Sequence, residues 1–180
     1  CPYCDFNSHA QHAGVDQQAY AAALLLDLDK ELASQAGRPV GSVFFGGGTP
    51  SLLRADLLDF VLGGVARRLR LVDDVEVTLE ANPGTAEAAR FAAYRTAGVN
   101  RLSIGVQSLD DAALAAIGRI HSAAEAVAAY RLARAAGFEN INLDLMFGLP
   151  QQTIEGGLDE VRAVIAREPE HLSWYQLTLE

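Results

Sequence analysis

The sequence predicts an α/β fold with a parallel sheet, either an open doubly wound sheet or a partial (β/α) barrel. Five short β-rich segments alternate with helical segments along the 180 residues. Within the strands, polar and apolar residues also alternate, whereas parallel strands that are buried on both faces are usually apolar throughout. A polar face needs a hydrated or ligand-filled space, which favours a partial barrel with a polar lumen, although an exposed antiparallel sheet would alternate in the same way.

The first elements are a helix, a strand and a second helix. Asp16 caps a helix predicted over 17–36, and Gly37 ends it. Its apolar stripe consists of Leu24, Leu28 and Leu32. A short strand over 42–45 then leads to a helix over 54–69, which two adjacent glycines should weaken.

The rest of the chain repeats this alternation four times. The remaining strands are predicted over 75–80, 101–107, 141–147 and 172–179. The helices between them are predicted to begin after the turn at 82–85, at Ser108, at the capping box of Ser122 and Glu125, and near 154. Gly98 and Gly137 end two of these helices.

Composition and charge disfavour several classes of function. A net charge of −9 disfavours nucleic-acid binding, because an acidic surface repels phosphate. An apolar run of about 20 residues, which a membrane span needs, is missing, as is a basic and apolar leader. The chain begins at Cys1 without a methionine, so we expect a segment of a longer protein. Two neighbouring cysteines are too few for a disulfide framework, which favours the cytoplasm.

The most specific local motif is Cys1-Pro2-Tyr3-Cys4, and it has three interpretations. It is similar to a glutaredoxin active site, where a lowered thiol pKa drives disulfide exchange. Alternatively, the two thiolates, with a third cysteine upstream, would ligate a [4Fe–4S] cluster. They could also be two inert thiols at a terminus. A glutaredoxin motif should follow a strand in a small domain, whereas here five strand segments follow the motif, so we favour the cluster.

A glycine-rich loop and several polar residues follow the predicted strands. Gly46-Gly47-Gly48-Thr49-Pro50 lets the backbone approach a ligand at the end where parallel barrels build active sites, although it could also be a plain tight turn. It lacks the Gly-Lys-Ser/Thr of a Walker loop, and Ser51 replaces the last glycine of a dinucleotide fingerprint.

The polar residues at later strand ends are Glu80 with Asn82, Gln107, and Asp144 with Gly148. Each could contact a ligand through its hydrogen-bonding groups. Together with the glycine-rich loop after the first strand, four successive strands end in such a group, which is more than chance alone would give. Arg119 could pair with a ligand carboxylate, although a surface salt bridge is the ordinary expectation. The histidines show no metal spacing, and we expect surface or core positions rather than heme ligation for them. They are His9, His12, His121 and His171.

Several longer motifs carry a family resemblance. They are CPYCDFNSH (1–9), FFGGGTPS (44–51), LEANPG (79–84), NRLSIGVQS (100–108), GRIH (118–121), NLDLMFGLP (142–150) and LSWYQLTLE (172–180). Together they resemble the radical S-adenosylmethionine (SAM) superfamily over the whole chain, and within it the heme chaperones related to oxygen-independent coproporphyrinogen III oxidase.

The resemblance implies a partial (β/α)6 TIM-like barrel with its first strand truncated. Residues 1–180 would then be a fragment of the radical SAM core domain, without the upstream strand and the C-terminal domain. Cys1 and Cys4 would be the second and third ligands of a [4Fe–4S] cluster. The SAM-contacting positions would be Tyr3, Gly47, Gly48, Thr49, Glu80, Gln107, Arg119 and Asp144. In this superfamily a reduced cluster breaks a C–S bond of SAM, and the protein binds, orients and excludes water.

One departure bears on the function. The oxidases carry a further cysteine two residues after the last cluster ligand, where this chain has Phe6. The resemblance therefore implies a heme chaperone with a [4Fe–4S] cluster, SAM and heme, which passes heme to an acceptor protein. Any association with a membrane would be peripheral and made through that acceptor. A porphyrinogen decarboxylase is the alternative, and a glutaredoxin-like thiol oxidoreductase is a distant third.

Overall fold

The sheet of this protein is parallel throughout. The computed structural model describes residues 3, 14–32, 37–84 and 88–178. The five strands are β1 (Val40–Phe45), β2 (Leu71–Ala81), β3 (Arg101–Gln107), β4 (Ile141–Phe147) and β5 (His171–Gln176). They lie side by side in sequence order, and each neighbouring pair is parallel.

Helices connect these strands. They are α1 (Gln17–Glu31), α2 (Ala55–Arg68), α3 (Phe91–Thr96), α4 (Asp111–Ala116), α5 (Ala123–Ala135) and α6 (Ile154–Ile165), with a 3-10 turn at Pro50–Leu52. Because right-handed crossovers between sequential parallel strands place every helix on the same face, the sheet curls and its other face lines a lumen. The partial α/β barrel is confirmed, and the doubly wound and antiparallel alternatives are wrong.

The outer face of the sheet forms the main core with the helices. The alternating apolar residues of the three central strands lie there, namely Val77, Leu79, Leu102, Ile104, Val106, Ile141, Leu143 and Leu145. Phe91 and Phe138 meet edge to face above them, with ring centroids 6.4 Å apart. Each fully buried side chain of this size stabilises the fold by about 1.5–3 kcal/mol. The apolar half of the predicted alternation is therefore the packing surface.

The first helix departs from its prediction. Asp16 caps α1 as predicted, accepting from Ala19 N at 3.0 Å, but the regular helix ends at Glu31 and residues 33–36 lie outside the described residues. The leucine stripe is correct only at Leu28, which packs against α2 beside the buried Ala21 and Leu25, whereas Leu24 is 36% exposed. The helix packs chiefly on α2, and its contact stripe consists of Ala21, Leu25 and Leu28.

One of the two glycines of α2, Gly64, serves this same contact. A Cβ at Gly64 would lie 2.4 Å from Leu25 Cδ1, so glycine leaves room for the Leu25 side chain between the two helices. The entropic cost of glycine in a helix, about 1 kcal/mol, is thus offset by packing. Among the described residues, no helix is long and apolar enough to cross a membrane.

Candidate functional site

A polar cavity lies at the carboxyl ends of the strands. It encloses about 260 Å³ and contains all eight positions that the resemblance relates to SAM: Tyr3, Gly47, Gly48, Thr49, Glu80, Gln107, Arg119 and Asp144. The other lining residues are Pro50, Ser51, Ala81, Asn82, Ser103, Gly105 and Tyr175. Cys1 and Cys4 lie outside the described residues, and so do Phe6, His9 and His12. Residues that are far apart in sequence therefore meet because parallel strands end at one edge.

Asp144 anchors the floor of the cavity. Ser103 Oγ donates to its Oδ2 at 3.1 Å, and Asn142 Nδ2 donates to its Oδ1 at 2.7 Å. Asn142 is itself held by Ser173, whose Oγ donates to Asn142 Oδ1 at 3.1 Å. Burial raises the pKa of Asp144 above its usual range, and the three hydrogen-bonding side chains partly oppose this shift. The result is a carboxylate with a fixed orientation and a strong demand for a cation or a hydrogen-bond donor.

Glu80 joins the glycine-rich loop to β2. The backbone N–H of Gly47 donates to its Oε2 at 3.1 Å, and Gly47 has a φ of +106°, which few residues other than glycine adopt. Burial raises the pKa of Glu80, the Gly47 N–H lowers it, and the negative charge of Asp144 raises it again. Two carboxyl groups that raise each other's proton affinity mark this end of the lumen as a site for a positively charged ligand.

Gln107 ends β3 in an unusual conformation. Its φ is +67°, and the pairing of β3 with β4 becomes irregular between Ile104 and Gln107. Such an irregularity redirects a side chain at a strand end. Its Oε1 accepts a hydrogen bond from Tyr175 OH at 2.5 Å, and the residue is buried. Gln107 therefore has its amide held at the cavity wall.

Arg119 lines the cavity. Its Nη2 donates to Asn82 Oδ1 at 2.8 Å and to the carbonyl of Gly105 at 3.1 Å, while Nη1 donates to Tyr3 OH at 3.4 Å. The guanidinium is thereby tied to two strand ends and to the cysteine-containing motif. It places one fixed positive charge opposite the two carboxyl groups.

The remaining sequence predictions have mixed outcomes. Gly148 does not line the cavity; its N–H donates to Gln152 Oε1 at 2.9 Å, so it serves the loop instead. His121 is buried, with Nε2 3.1 Å from the carbonyl of Val106, and burial lowers its pKa, as expected of a core histidine. His171 is exposed, as expected. Among the described residues, no cluster of three or more His, Cys, Asp or Glu side chains could hold a metal ion.

Sequence reasoning missed Ser103 and Tyr175. Both lie on the polar face by strand alternation: Ser103 is paired in register with Glu80 and hydrogen-bonded to Asp144, and Tyr175 comes two residues after Ser173. Alternation within β5 was the available signal for Tyr175.

The cavity suits SAM, which has an ammonium group, a carboxylate, a sulfonium and ribose hydroxyls. Two carboxyl groups can hold the ammonium group or the hydroxyls, and Arg119 can hold the carboxylate. Gly105 keeps the wall open, because a Cβ there would lie 2.8 Å from Gln107 Nε2. The donors, acceptors and glycines present therefore fit the group.

Two curated proteins match this chain along its whole length. The chain is 53% identical over 180 residues to "Heme chaperone HemW" of Escherichia coli (strain K12) and spans 48% of that protein. It is 45% identical over 180 residues to "Radical S-adenosyl methionine domain-containing protein 1, mitochondrial" of Mus musculus, and spans 40% of it. The chain thus spans about half the length of the curated relatives it matches.

A solved structure and a family model complete the comparison. Coproporphyrinogen III oxidase (HemN) from Escherichia coli, a radical SAM enzyme, matches with a TM-score of 0.85 and 28% identity, over 99% of this chain and 41% of that one. The model of the Radical SAM superfamily matches residues 1–162. The chain belongs to the radical SAM superfamily, which implies a [4Fe–4S] cluster and SAM as its cofactors.

Proposed function

We propose that this chain is the SAM-binding core of a heme chaperone, which binds a [4Fe–4S] cluster, SAM and heme and passes heme to an acceptor protein. One observation carries the proposal: the chain is 53% identical along its whole length to a heme chaperone, and its matching motifs converge on one polar cavity. Cys1 and Cys4 would hold the cluster together with a third thiolate. The two-cysteine composition supports a cytoplasmic location.

Different residues of the cavity bind different groups of SAM. Glu80 and Asp144 supply acceptors for the ammonium group and the ribose hydroxyls, while Arg119 supplies a donor for the carboxylate. Gly47 and Gly48 have no side chains and so let the backbone approach the ligand closely. The chemistry that bound cluster and SAM supply is one-electron reduction of SAM; these side chains bind, orient and exclude water.

An oxygen-independent coproporphyrinogen III oxidase is the second candidate. It is favoured by the fold, which matches HemN with a TM-score of 0.85. Against it stand the lower identity to that enzyme, 28%, and Phe6, where the resemblance expects a further cysteine in the oxidases. A thiol oxidoreductase has no comparable support, because the motif of Cys1 and Cys4 belongs to the radical SAM match over residues 1–162.

The test uses the full-length protein, reconstituted anaerobically with iron and sulfide. Heme is titrated while absorbance is recorded, and coproporphyrinogen conversion is assayed in the same preparation with SAM and a reductant. We expect stoichiometric heme binding without porphyrinogen turnover. Turnover to protoporphyrinogen would identify an oxidase instead, and neither binding nor turnover would refute both candidates.

A matched pair of variants tests whether SAM binding depends on the cluster. The variant Cys4→Ser should lose the visible absorbance of the cluster and, with it, tight binding of SAM. The variant Ser8→Ala, in the same segment, should keep both. Transfer is then measured by adding an apo-heme protein to the heme-loaded chaperone and following the shift in the heme spectrum, which should not require porphyrinogen chemistry.

A further inference from the structure

Tyr175 is a cavity residue outside the set that the resemblance relates to SAM. It lies on the lumen face of β5, is 39% exposed and lines the cavity beside Asp144. Its hydroxyl donates to Gln107 Oε1 at 2.5 Å, across 68 residues of sequence. The last described strand is thereby linked to the end of β3 by side chains alone, because β5 pairs only with β4.

The amide of Gln107 is restricted on two sides. Tyr175 holds its oxygen, and its nitrogen occupies the space above Gly105, where a Cβ would lie only 2.8 Å from Nε2. The backbone adds a third restriction, since a φ of +67° is costly for a residue other than glycine. A strained backbone and a captured side chain at a ligand-sized cavity indicate a group held ready before the ligand arrives.

We propose that Tyr175 is a positioning residue for ligand binding, which holds the oxygen of the Gln107 amide so that the amide N–H groups are presented to SAM. This inference rests on the proposed function, because SAM is the ligand that it names. The phenol donates, so the amide oxygen accepts, and only the N–H groups remain to point along the cavity wall. Without Tyr175 the amide is free to rotate about its last bond, and part of its population presents the oxygen instead.

The phenol keeps its proton under ordinary conditions. Partial burial raises the pKa of Tyr175, and the negative charge of Asp144 and the neighbouring Tyr3 raise it further, against smaller opposing effects of Gln107 and Arg119. The hydroxyl is therefore a donor throughout the pH range of a binding assay.

The test measures SAM affinity of the cluster-loaded full-length protein by isothermal titration calorimetry. The variants are Tyr175→Phe, Gln107→Met and the double variant. We expect Tyr175→Phe to weaken binding about five- to tenfold, the worth of one well-placed hydrogen bond. Gln107→Met should weaken it at least as much, and the double variant should match Gln107→Met alone. Such non-additivity is the readout that a merely structural role would not produce.

One further variant controls for folding, and another disturbs the same amide. Tyr130→Phe removes a tyrosine hydrogen bond outside the cavity, to the carbonyl of Arg167 at 2.7 Å, and should leave SAM affinity unchanged. Gly105→Ala would place a Cβ 2.8 Å from Gln107 Nε2, on the other side of the amide, and should weaken SAM binding.

The outcomes separate this inference from the proposed function. If the wild type does not bind SAM, both are overturned. If the wild type binds SAM and Tyr175→Phe binds it equally well, only the positioning role is overturned. Additive losses in the double variant would also overturn it, because Tyr175 would then act on the ligand independently of Gln107.

Discussion

Glu160 ties together two loops that follow the strands of the site. Ser108 Oγ and the N–H of Leu109, directly after β3, both donate to its Oε1, the second at 2.6 Å. Gln152 Nε2 donates to its Oε2 at 2.8 Å, and Gln152 Oε1 in turn accepts from the N–H of Gly148, after β4. One carboxylate on α6 therefore fixes the chain on both sides of the cavity rim, and we expect the variant Glu160→Gln to loosen it.

The expected loss in the free energy of unfolding follows from the number of hydrogen bonds that Glu160 accepts. Hydrogen bonds to charged groups contribute about 1.5–3 kcal/mol each, against about 1 kcal/mol for neutral ones. Glutamine keeps one oxygen but turns an NH2 group toward donors on the other side, so at least one partner is left unsatisfied. Ser108 is fully buried and has no water to replace the lost acceptor. The free energy of unfolding should therefore fall by about 2–3 kcal/mol.

Chemical denaturation of the two variants Glu160→Gln and Asp159→Asn tests this. Asp159 is the neighbouring acidic residue, forms only an exposed ion pair with Arg162, and its loss should cost less than about 0.5 kcal/mol. Both variants remove one negative charge from the same helix, so the difference between them isolates the loop contacts. Equal midpoints for the two variants would refute the role of Glu160.

Three further predictions concern the cavity. Because burial raises the pKa of Asp144, the folded chain holds its proton more tightly than the unfolded chain, so this group makes the free energy of unfolding fall as pH rises above the ordinary value of 3.8. Asp144→Asn should flatten that part of the pH profile of thermal unfolding, and an unchanged profile would contradict it. SAM affinity should fall on acidification, as protonation of Asp144 and Glu80 removes the charges that attract the ammonium group; an affinity that calorimetry finds unchanged between two pH values would contradict this role of the carboxyl groups. Gly47→Ala should lower the free energy of unfolding by about 1–2 kcal/mol through its φ of +106° alone, since no atom lies within 4 Å of the new Cβ, whereas Gly41→Ala, equally uncrowded and without a positive φ, should not.

The sequence predicts the sheet well because the alternation on β3 and β4 has a single physical cause. Leu102, Ile104 and Leu143 must face the helices, so the residues between them must face the lumen. The bounds of these two strands, 101–107 and 141–147, agree with the prediction. The resemblance then selects lumen residues, and parallel strands bring them to one edge.

The contacts that hold the site could not be predicted in this way. Glu160 has the sequence pattern of a solvated helix residue, and two of its partners, Ser108 and Leu109, lie 52 and 51 residues earlier in the chain. Tyr175 and Gln107 meet only because β3, β4 and β5 are neighbours in a known register. The stripe of α1 was shifted for a related reason: the position of α2, and the gap that Gly64 leaves in it, decide which leucine is buried.

One face of each strand therefore contributes to the stability of the fold, and the other face lines the cavity. On β3, Leu102 and Ile104 are fully buried in the core, while Ser103 and Gly105, which alternate with them, line the cavity. Truncation of a core leucine costs about 2–5 kcal/mol and changes binding only through loss of fold. Replacement of a lumen residue changes the ligand contacts and costs little packing, and a carboxyl group with a raised pKa such as Asp144 even reduces stability at neutral pH. A buried carboxyl group whose raised pKa lowers the stability of the fold at neutral pH is not explained by folding, and for this reason the cavity, rather than the core, supports the proposed function.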